Sequence, residues 1–357
     1  MAPPARRRGG DPVRIFPYRS FGTAERVYVN GRVMEDEGIR AATAGDSLWL
    51  NLVATVKRLE SDEVPHARVR VTVAGGSAEL AADSEGLYAG WVMPASPLPP
   101  DRLWHPATAE LLAPAIADVP PAVGDVLVPP PTAGLLVISD IDDTIVRTDA
   151  TSPLRMARNV FLGNVHTRLP FPGVAAFYRA LQRGTAVAAQ NPIFYVSSSP
   201  WNFYELLIEY LRLQRIPVGP LMLRDWGLRA QGGPPTAHGA HKLAGIQRIL
   251  DTYATLPVIL VGDSGQEDPE IYRDVVARYP KRILAAYIRD VTAADARRRG
   301  VAALAEEVAA AGSTLILADD TVAAARHAAE HGWIAADAVE AVVADKREDE
   351  AAPEKGA

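Results

Sequence analysis

Gly134-Leu-Leu-Val-Ile-Ser-Asp140-Ile-Asp142-Asp143-Thr144 is the stretch on which the fold turns. Residues 135–138 form an unbroken apolar run, which predicts a strand buried on both faces of a parallel sheet. Asp140, Asp142 and Asp143 follow within a few positions. In open α/β sheets ligands bind beyond the carboxyl ends of strands, where these acids would sit. Two carboxylates about 4.5 Å apart repel by about 4 kcal/mol at an effective dielectric near 20, so the cluster calls for a proton or a cation. A hard divalent ion with oxygen ligands, Mg²⁺ in the simplest case, answers that need. For the isolated stretch the alternative is a strand followed by a solvated acidic turn.

Moving outward, strands and helices alternate after the proline-rich stretch at 129–131, the pattern of a doubly wound parallel α/β sheet. Strands are expected at 135–139, 193–197, 218–222, 257–261, 282–287 and 314–318. Ser199 and Pro200 are expected to cap and open a helix through residue 213. Another helix is expected near 174–181, and an alanine-rich one from 321 to about 331. Before the prolines, residues 13–128 read as a small all-β, sandwich-like domain. Ala67, Val69, Val71 and Val73 alternate with Arg68, Arg70 and Thr72, one dry face and one wet. Val27, Val29 and Val33 surround an Asn30-Gly31 pair that reads as a turn between alternating or hairpin-like segments. The expected domains are therefore 13–128 and 129–345, with a disordered arm at 1–12 and a charged, disordered tail at 346–357.

The 357 residues are 48% hydrophobic and 22% charged, ordinary for a globular protein, and suffice for two cores. There is no cysteine, which excludes disulfides, thiolate metal sites and cysteine nucleophiles. A net charge of −6 argues against a general nucleic-acid binder. No apolar stretch has the length of a bilayer span, and Arg6, Arg7 and Arg8 have no apolar run behind them to make a signal peptide. The expectation is a cytoplasmic protein, with any membrane contact local and peripheral.

Four strand ends collect the polar residues that phosphoryl transfer needs. At the first, Asp140 and Asp142 stand at i and i+2, so both can face a ligand above the sheet. One can attack phosphorus while the other manages the leaving-group proton. The second ends in the hydroxyls of Ser197, Ser198 and Ser199, which with Thr144 are candidates for holding substrate. A capping turn is the alternative for the serines alone. The third is Lys242, the only lysine between Lys57 and Lys281 in an arginine-using chain; a compact ammonium suits a phosphoryl oxygen. The fourth is Gly262-Asp263-Ser264-Gly265-Gln266-Glu267-Asp268, whose Asp263 and Asp268 supply further oxygen ligands.

In this order, the motifs at 139–145, 197–202, 241–242 and 262–272 resemble the haloacid dehalogenase-like phosphatases. More closely, they resemble the catalytic domain of the actin-patch-associated phosphatidate phosphatases and their bacterial relatives, over roughly residues 133–345. The resemblance implies Mg²⁺-dependent hydrolysis of phosphatidate to diacylglycerol through an aspartyl phosphate. Asp140 would then be the nucleophile and Asp142 the acid and later the base, with Ser197 and Lys242 holding the transferring group. Asp140, the Asp142 carbonyl and Asp263 would bind the cation, with Asp268 ligating directly or through water. Substrate choice is expected from residues 145–175. There Arg155, Arg158 and Phe161 belong to a short apolar stretch that either meets a lipid surface or is an ordinary buried helix. The alternatives are a phosphatase for a soluble phosphomonoester, a receiver-like signalling domain, and a catalytically silent scaffold that binds lipid or protein through its β-domain. In a receiver the acidic pair precedes a separate phosphoacceptor strand, whereas here both key aspartates share one motif.

Overall fold

A computed structural model describes residues 12–35, 63–145, 171–185, 190–224, 237–292 and 294–351. Residues 1–11 of the expected arm, 146–170 of the expected substrate region (Phe161 included) and 352–357 of the expected tail lie outside the described residues. The chain divides into two compact units, Met1–Pro129 and Pro130–Ala357.

The first unit carries β1 (Val13–Pro17), β2 (Ser20–Gly22), β3 (Val27–Glu35), β4 (Arg68–Val73), β5 (Gly76–Ala81), β6 (Leu87–Val92), β7 (Trp104–Ala113) and β8 (Ala122–Leu127). Their ladders join into one mixed sheet in the order β1-β3-β2-β8-β7-β4-β5, with β6 on the other edge of β3. The described strands of the expected all-β, sandwich-like domain are thus joined along one continuous hydrogen-bonded path. The alternation in β4 holds: Val69, Val71 and Val73 are buried in the core, while Arg68 and Arg70 reach across the strand pair to Glu79. Asn30-Gly31 is not a turn. Both residues lie inside β3, opposite Ala89 and Tyr88 of β6. A Cβ on Gly31 would sit 2.3 Å from the Tyr88 hydroxyl, so the glycine is there to let a buried tyrosine cross the strand.

The second unit runs β9 (Leu136–Asp140), α1 (Val174–Arg183), β10 (Ile193–Pro200), α2 (Tyr204–Leu213), β11 (Leu221–Arg224), α3 (Ala237–Thr252), β12 (Val258–Asp263), α4 (Asp268–Arg278), β13 (Ile283–Arg289), α5 (Asp295–Ala310), β14 (Leu315–Ala318), α6 (Thr321–Glu330) and α7 (Ala338–Ala351). The six strands form a wholly parallel sheet, β11-β10-β9-β12-β13-β14. Each of the six expected strands is present, within about three residues at either end. The order reverses at β9, which is flanked by β10 and β12, so the carboxyl ends of β9 and β12 border a topological switch point. All five residues of β9 and all six of β12 are buried, as their apolar runs require.

Two local expectations are corrected. Ser199 does not cap a helix: it belongs to β10, and a short 3-10 turn, Trp201–Phe203, separates it from α2 with no side-chain cap. The charged segment from Lys346 is not a solvated tail through Ala351, because α7 continues to that point. Its acids have work to do. Asp345 Oδ2 accepts from the Ala176 N–H at 2.9 Å and Asp349 Oδ2 from the Gly173 N–H at 2.8 Å, while Lys346 pairs with Asp320 at 2.7 Å. The N-cap of α1 is Gly173, which has no side chain to satisfy those donors, so α7 supplies the cap.

Candidate active site

Each site residue owes its place to a strand end or a helix start. Asp140 is the last residue of β9 and Asp263 the last of β12, two adjacent parallel strands. Asp268 opens α4, with Pro269 in its first turn, and Lys242 projects from α3. One carboxylate oxygen from each of Asp140, Asp263 and Asp268 lies within 4.8 Å of the others. Lys242 Nζ stands 2.7 Å from Asp140 Oδ1 and 2.7 Å from Asp268 Oδ1. These four side chains are nearly or fully buried. Gly262 makes room for them: a Cβ there would fall 2.7 Å from Asp268 Oδ2 and 2.9 Å from the Tyr272 ring.

The remaining oxygens divide into satisfied and orphaned ones. Asp268 Oδ2 accepts from the Asp263 N–H at 3.2 Å, and Asp263 Oδ1 accepts from the N–H groups of Gly265 at 2.6 Å and Gln266 at 3.0 Å. Asp140 Oδ2, Asp263 Oδ2 and Asp142 Oδ1 are buried with no hydrogen-bond partner among the described residues. Buried acceptors are rarely left so, and each costs about 1–3 kcal/mol when it is. One ammonium against three carboxylates also leaves two negative charges, the complement of a divalent cation. Three converging hard oxygen donors suit such a cation, so the residues fit the group.

Electrostatics record the same deficit. Burial, then Asp268 and Asp142, pushes Asp140 well above the usual carboxylate range in spite of Lys242. Burial, then Asp268, pushes Asp263 up to about 7. Burial also raises Asp142, against the lowering effect of Ser197. Burial alone would lower the Lys242 ammonium, but Asp140 and Asp268 outweigh it and raise it.

The other candidates are placed as follows. Ser197 is fully buried and donates to Asp142 Oδ2 at 2.8 Å, which brings the ends of β9 and β10 together. Its Oγ also accepts from the Ser199 N–H at 3.0 Å. The Asp142 carboxylate is thus turned to Ser197 and stands outside the carboxylate triad. Thr144 Oγ1 and Ser199 Oγ are buried without a hydrogen-bond partner among the described residues. Ser198 is half-buried and makes no site contact among those described.

Two residues escaped the sequence reading. Gln266 donates from Nε2 to the Asp142 carbonyl at 3.3 Å, bridging loops 124 positions apart. It lay inside a motif already singled out, yet its amide had no partner visible in the pattern. Arg297 of α5 donates from Nε to the Ser264 carbonyl at 2.7 Å, from Nη2 to the Gln266 carbonyl, and from both Nη atoms to the Glu270 carboxylate. In sequence it is one of three consecutive arginines, which reads as a solvated helix face.

Residues 135–290 match the family model described as phosphatidate phosphatase APP1, catalytic domain. The chain is 37% identical over 157 residues to phosphatidate phosphatase APP1 of Saccharomyces cerevisiae, an alignment covering 44% of this chain and 26% of that protein. It is 29% identical over 161 residues to an uncharacterised protein of Schizosaccharomyces pombe, covering 44% of this chain and 25% of that one. The matched part is thus about a quarter of the length of these relatives. A solved carbohydrate acetylesterase from Xanthomonas citri covers 80% of this chain and 71% of its own at 13% identity and a TM-score of 0.24, a likeness that carries no argument. Asp140, Asp142, Ser197, Lys242, Asp263 and Asp268 all lie inside the matched segment, whereas Arg297 lies beyond it. Residues 135–290 are thus similar in sequence to the phosphatidate phosphatase APP1 catalytic domain.

Proposed function

We propose that this chain is a Mg²⁺-dependent phosphatase with a haloacid dehalogenase-like catalytic unit, hydrolysing phosphatidate to diacylglycerol and inorganic phosphate. The observation that carries the reading is the meeting of three buried carboxylates and one buried ammonium at the switch point, with acceptor oxygens left unsatisfied. The family match and the name of the yeast relative support the substrate class.

Asp140, Asp263 and Asp268 would hold the cation, which when bound neutralises charge on the phosphoryl oxygens. Lys242 adds a fixed positive charge beside Asp140 and, being held by two carboxylates, needs no reorganisation to do so. Asp140 forms the new P–O bond as the ester oxygen departs with a proton from Asp142. In the second half Asp142 takes a proton from water, whose oxygen attacks phosphorus, and phosphate leaves as the Asp140 carboxylate is restored. Ser197, donating to Asp142 Oδ2, fixes which Asp142 oxygen is left to exchange that proton.

The test is phosphate release from phosphatidate in mixed micelles, set beside nucleotide, sugar, protein and para-nitrophenyl phosphates, with Mg²⁺ and with EDTA. Mg²⁺-requiring turnover that favours phosphatidate is the expected result. Preference for a soluble ester would move the substrate assignment and keep the chemistry. Absence of turnover on the whole panel would leave the scaffold reading in its place.

A further inference from the structure

The loop that follows Asp263 is held from outside the carboxylate cluster. Arg297 bonds the carbonyls of Ser264 and Gln266 and grips Glu270 with both terminal nitrogens, so three points of residues 264–270 hang on one guanidinium. Arg298 pairs with Asp290 at 2.6 Å, and Asp290 accepts the Ser264 hydroxyl at 3.3 Å. The start of α5 thus clamps the loop by main chain and side chain together. The held loop does two things at the site. Its Gly265 and Gln266 N–H groups occupy Asp263 Oδ1, which leaves Oδ2 as the unsatisfied oxygen, and its Gln266 side chain ties down the Asp142 carbonyl. Arg297 itself touches none of the three carboxylates by hydrogen bond among the described residues.

We propose that Arg297 is a positioning residue of this site: by fixing residues 264–270 it keeps Asp263 Oδ2 turned to the cation and Gln266 on the Asp142 carbonyl, and so sets the affinity for a divalent cation. The proposal rests on the cation reading above. Partners that orient metal ligands without touching the metal typically change affinity by about 10–100-fold when lost. Geometry and charge here pull in opposite directions. A guanidinium near the carboxylates repels a cation, so if charge alone mattered, removing it would tighten binding. If orientation matters, Arg297→Lys fails almost as badly as Arg297→Gln, because a lysine keeps the charge and cannot make the fork of bonds.

The experiment is calorimetric titration of the full chain with Mg²⁺ alone, on wild type, Arg297→Lys, Arg297→Gln, Gln266→Leu and the double variant Arg297→Gln/Gln266→Leu. Melting curves accompany each titration. The expected result is Mg²⁺ binding weakened about tenfold or more in both Arg297 variants. The double variant should then lie within about twofold of Arg297→Gln, since the two residues act in series. At saturating Mg²⁺, kcat should recover to within about threefold of wild type, the signature of a lost ligand geometry and not of a lost catalytic group. Unchanged affinity with a lowered melting temperature would reduce Arg297 to a structural brace and overturn the proposal. Tighter binding by Arg297→Gln would overturn it too, as would fully additive losses in the double variant. No Mg²⁺ binding by the wild type would overturn it together with the cation reading, whereas equal binding by all forms would overturn it alone.

Discussion

Asp140 is a carboxylate whose surroundings ask for two different partners. Oδ1 has the Lys242 ammonium at 2.7 Å, and Oδ2 has no hydrogen-bond partner among the described residues. Replacing it by asparagine removes one buried negative charge at almost constant shape, so the fold should survive. Asp140→Asn is expected to lose phosphate release by about three orders of magnitude or more, the scale seen when a nucleophile is removed. Its melting temperature in EDTA should be unchanged or raised; near-normal turnover would reject the nucleophile assignment. Lys242 presents the opposite case. Among the described residues its ammonium is the one set between Asp140 and Asp268, and removing one partner of a buried ion group leaves uncompensated charge. Lys242→Met should cost about 3–5 kcal/mol in denaturant unfolding at neutral pH without metal. A cost near zero would mean that the carboxylates are already protonated enough not to need it.

At the scale of elements, the site depends on how tightly β12 runs into α4. Gly262 admits the Asp268 carboxylate and the Tyr272 ring against the strand, and Tyr272 then donates to the Val261 carbonyl at 2.7 Å. Gly262→Ala is therefore expected to destabilise by about 1–3 kcal/mol, as overpacking does, and to weaken Mg²⁺ binding as Asp268 is pushed aside. Stability loss without any loss of Mg²⁺ affinity would show the loop able to yield elsewhere. A second element pair is remote from the chemistry: α7 caps α1 through Asp345 and Asp349. Asp345→Ala should lower stability by about 1 kcal/mol, the usual worth of a cap, while turnover well below the melting temperature stays at the wild-type rate. This pair also shows where sequence reading stops. The run from Lys346 onward is charged enough to pass for a solvated tail, and only the glycine-headed α1, which has no side-chain cap of its own and takes one from Asp349 176 positions later, explains why it is helical. Ser199-Pro200 fails for a different reason: cap residues also occur at strand ends, and the extension of β10 took them first.

Across the whole molecule, what was legible lay in contiguous runs. The apolar strands of the parallel sheet and the polar residues at their ends are local signals, so Asp140, Lys242, Asp263 and Asp268 could be named before any coordinates. What was not legible depends on tertiary partners: Gly31 on Tyr88, Gln266 on Asp142, Arg297 on a loop carried by another helix. The site's charge balance is likewise a property of the folded chain, and it links cation, proton and stability. Without cation, burial raises the carboxyl groups of Asp140 and Asp263 above the ordinary carboxylate range, Asp263 up to about 7. The unfolded chain releases both protons near pH 4, so between about pH 4 and pH 7 the folded form holds more protons than the unfolded one. The contribution of such a group is present at low pH and is lost as pH rises through its folded value. In EDTA, wild type should therefore lose stability relative to Asp263→Asn as pH rises over that window. Mg²⁺ must displace these protons, so its binding tightens over the same range. At about 100 times its Kd it adds about 2.7 kcal/mol, and a fixed concentration of it should stabilise wild type more at about pH 8 than at about pH 6. Melting of wild type and Asp263→Asn across this range, with EDTA and with Mg²⁺, measures both slopes. A Mg²⁺ increment indifferent to pH would mean that Asp140 and Asp263 are already ionised in the cation-free fold, and that Lys242 alone balances the cluster.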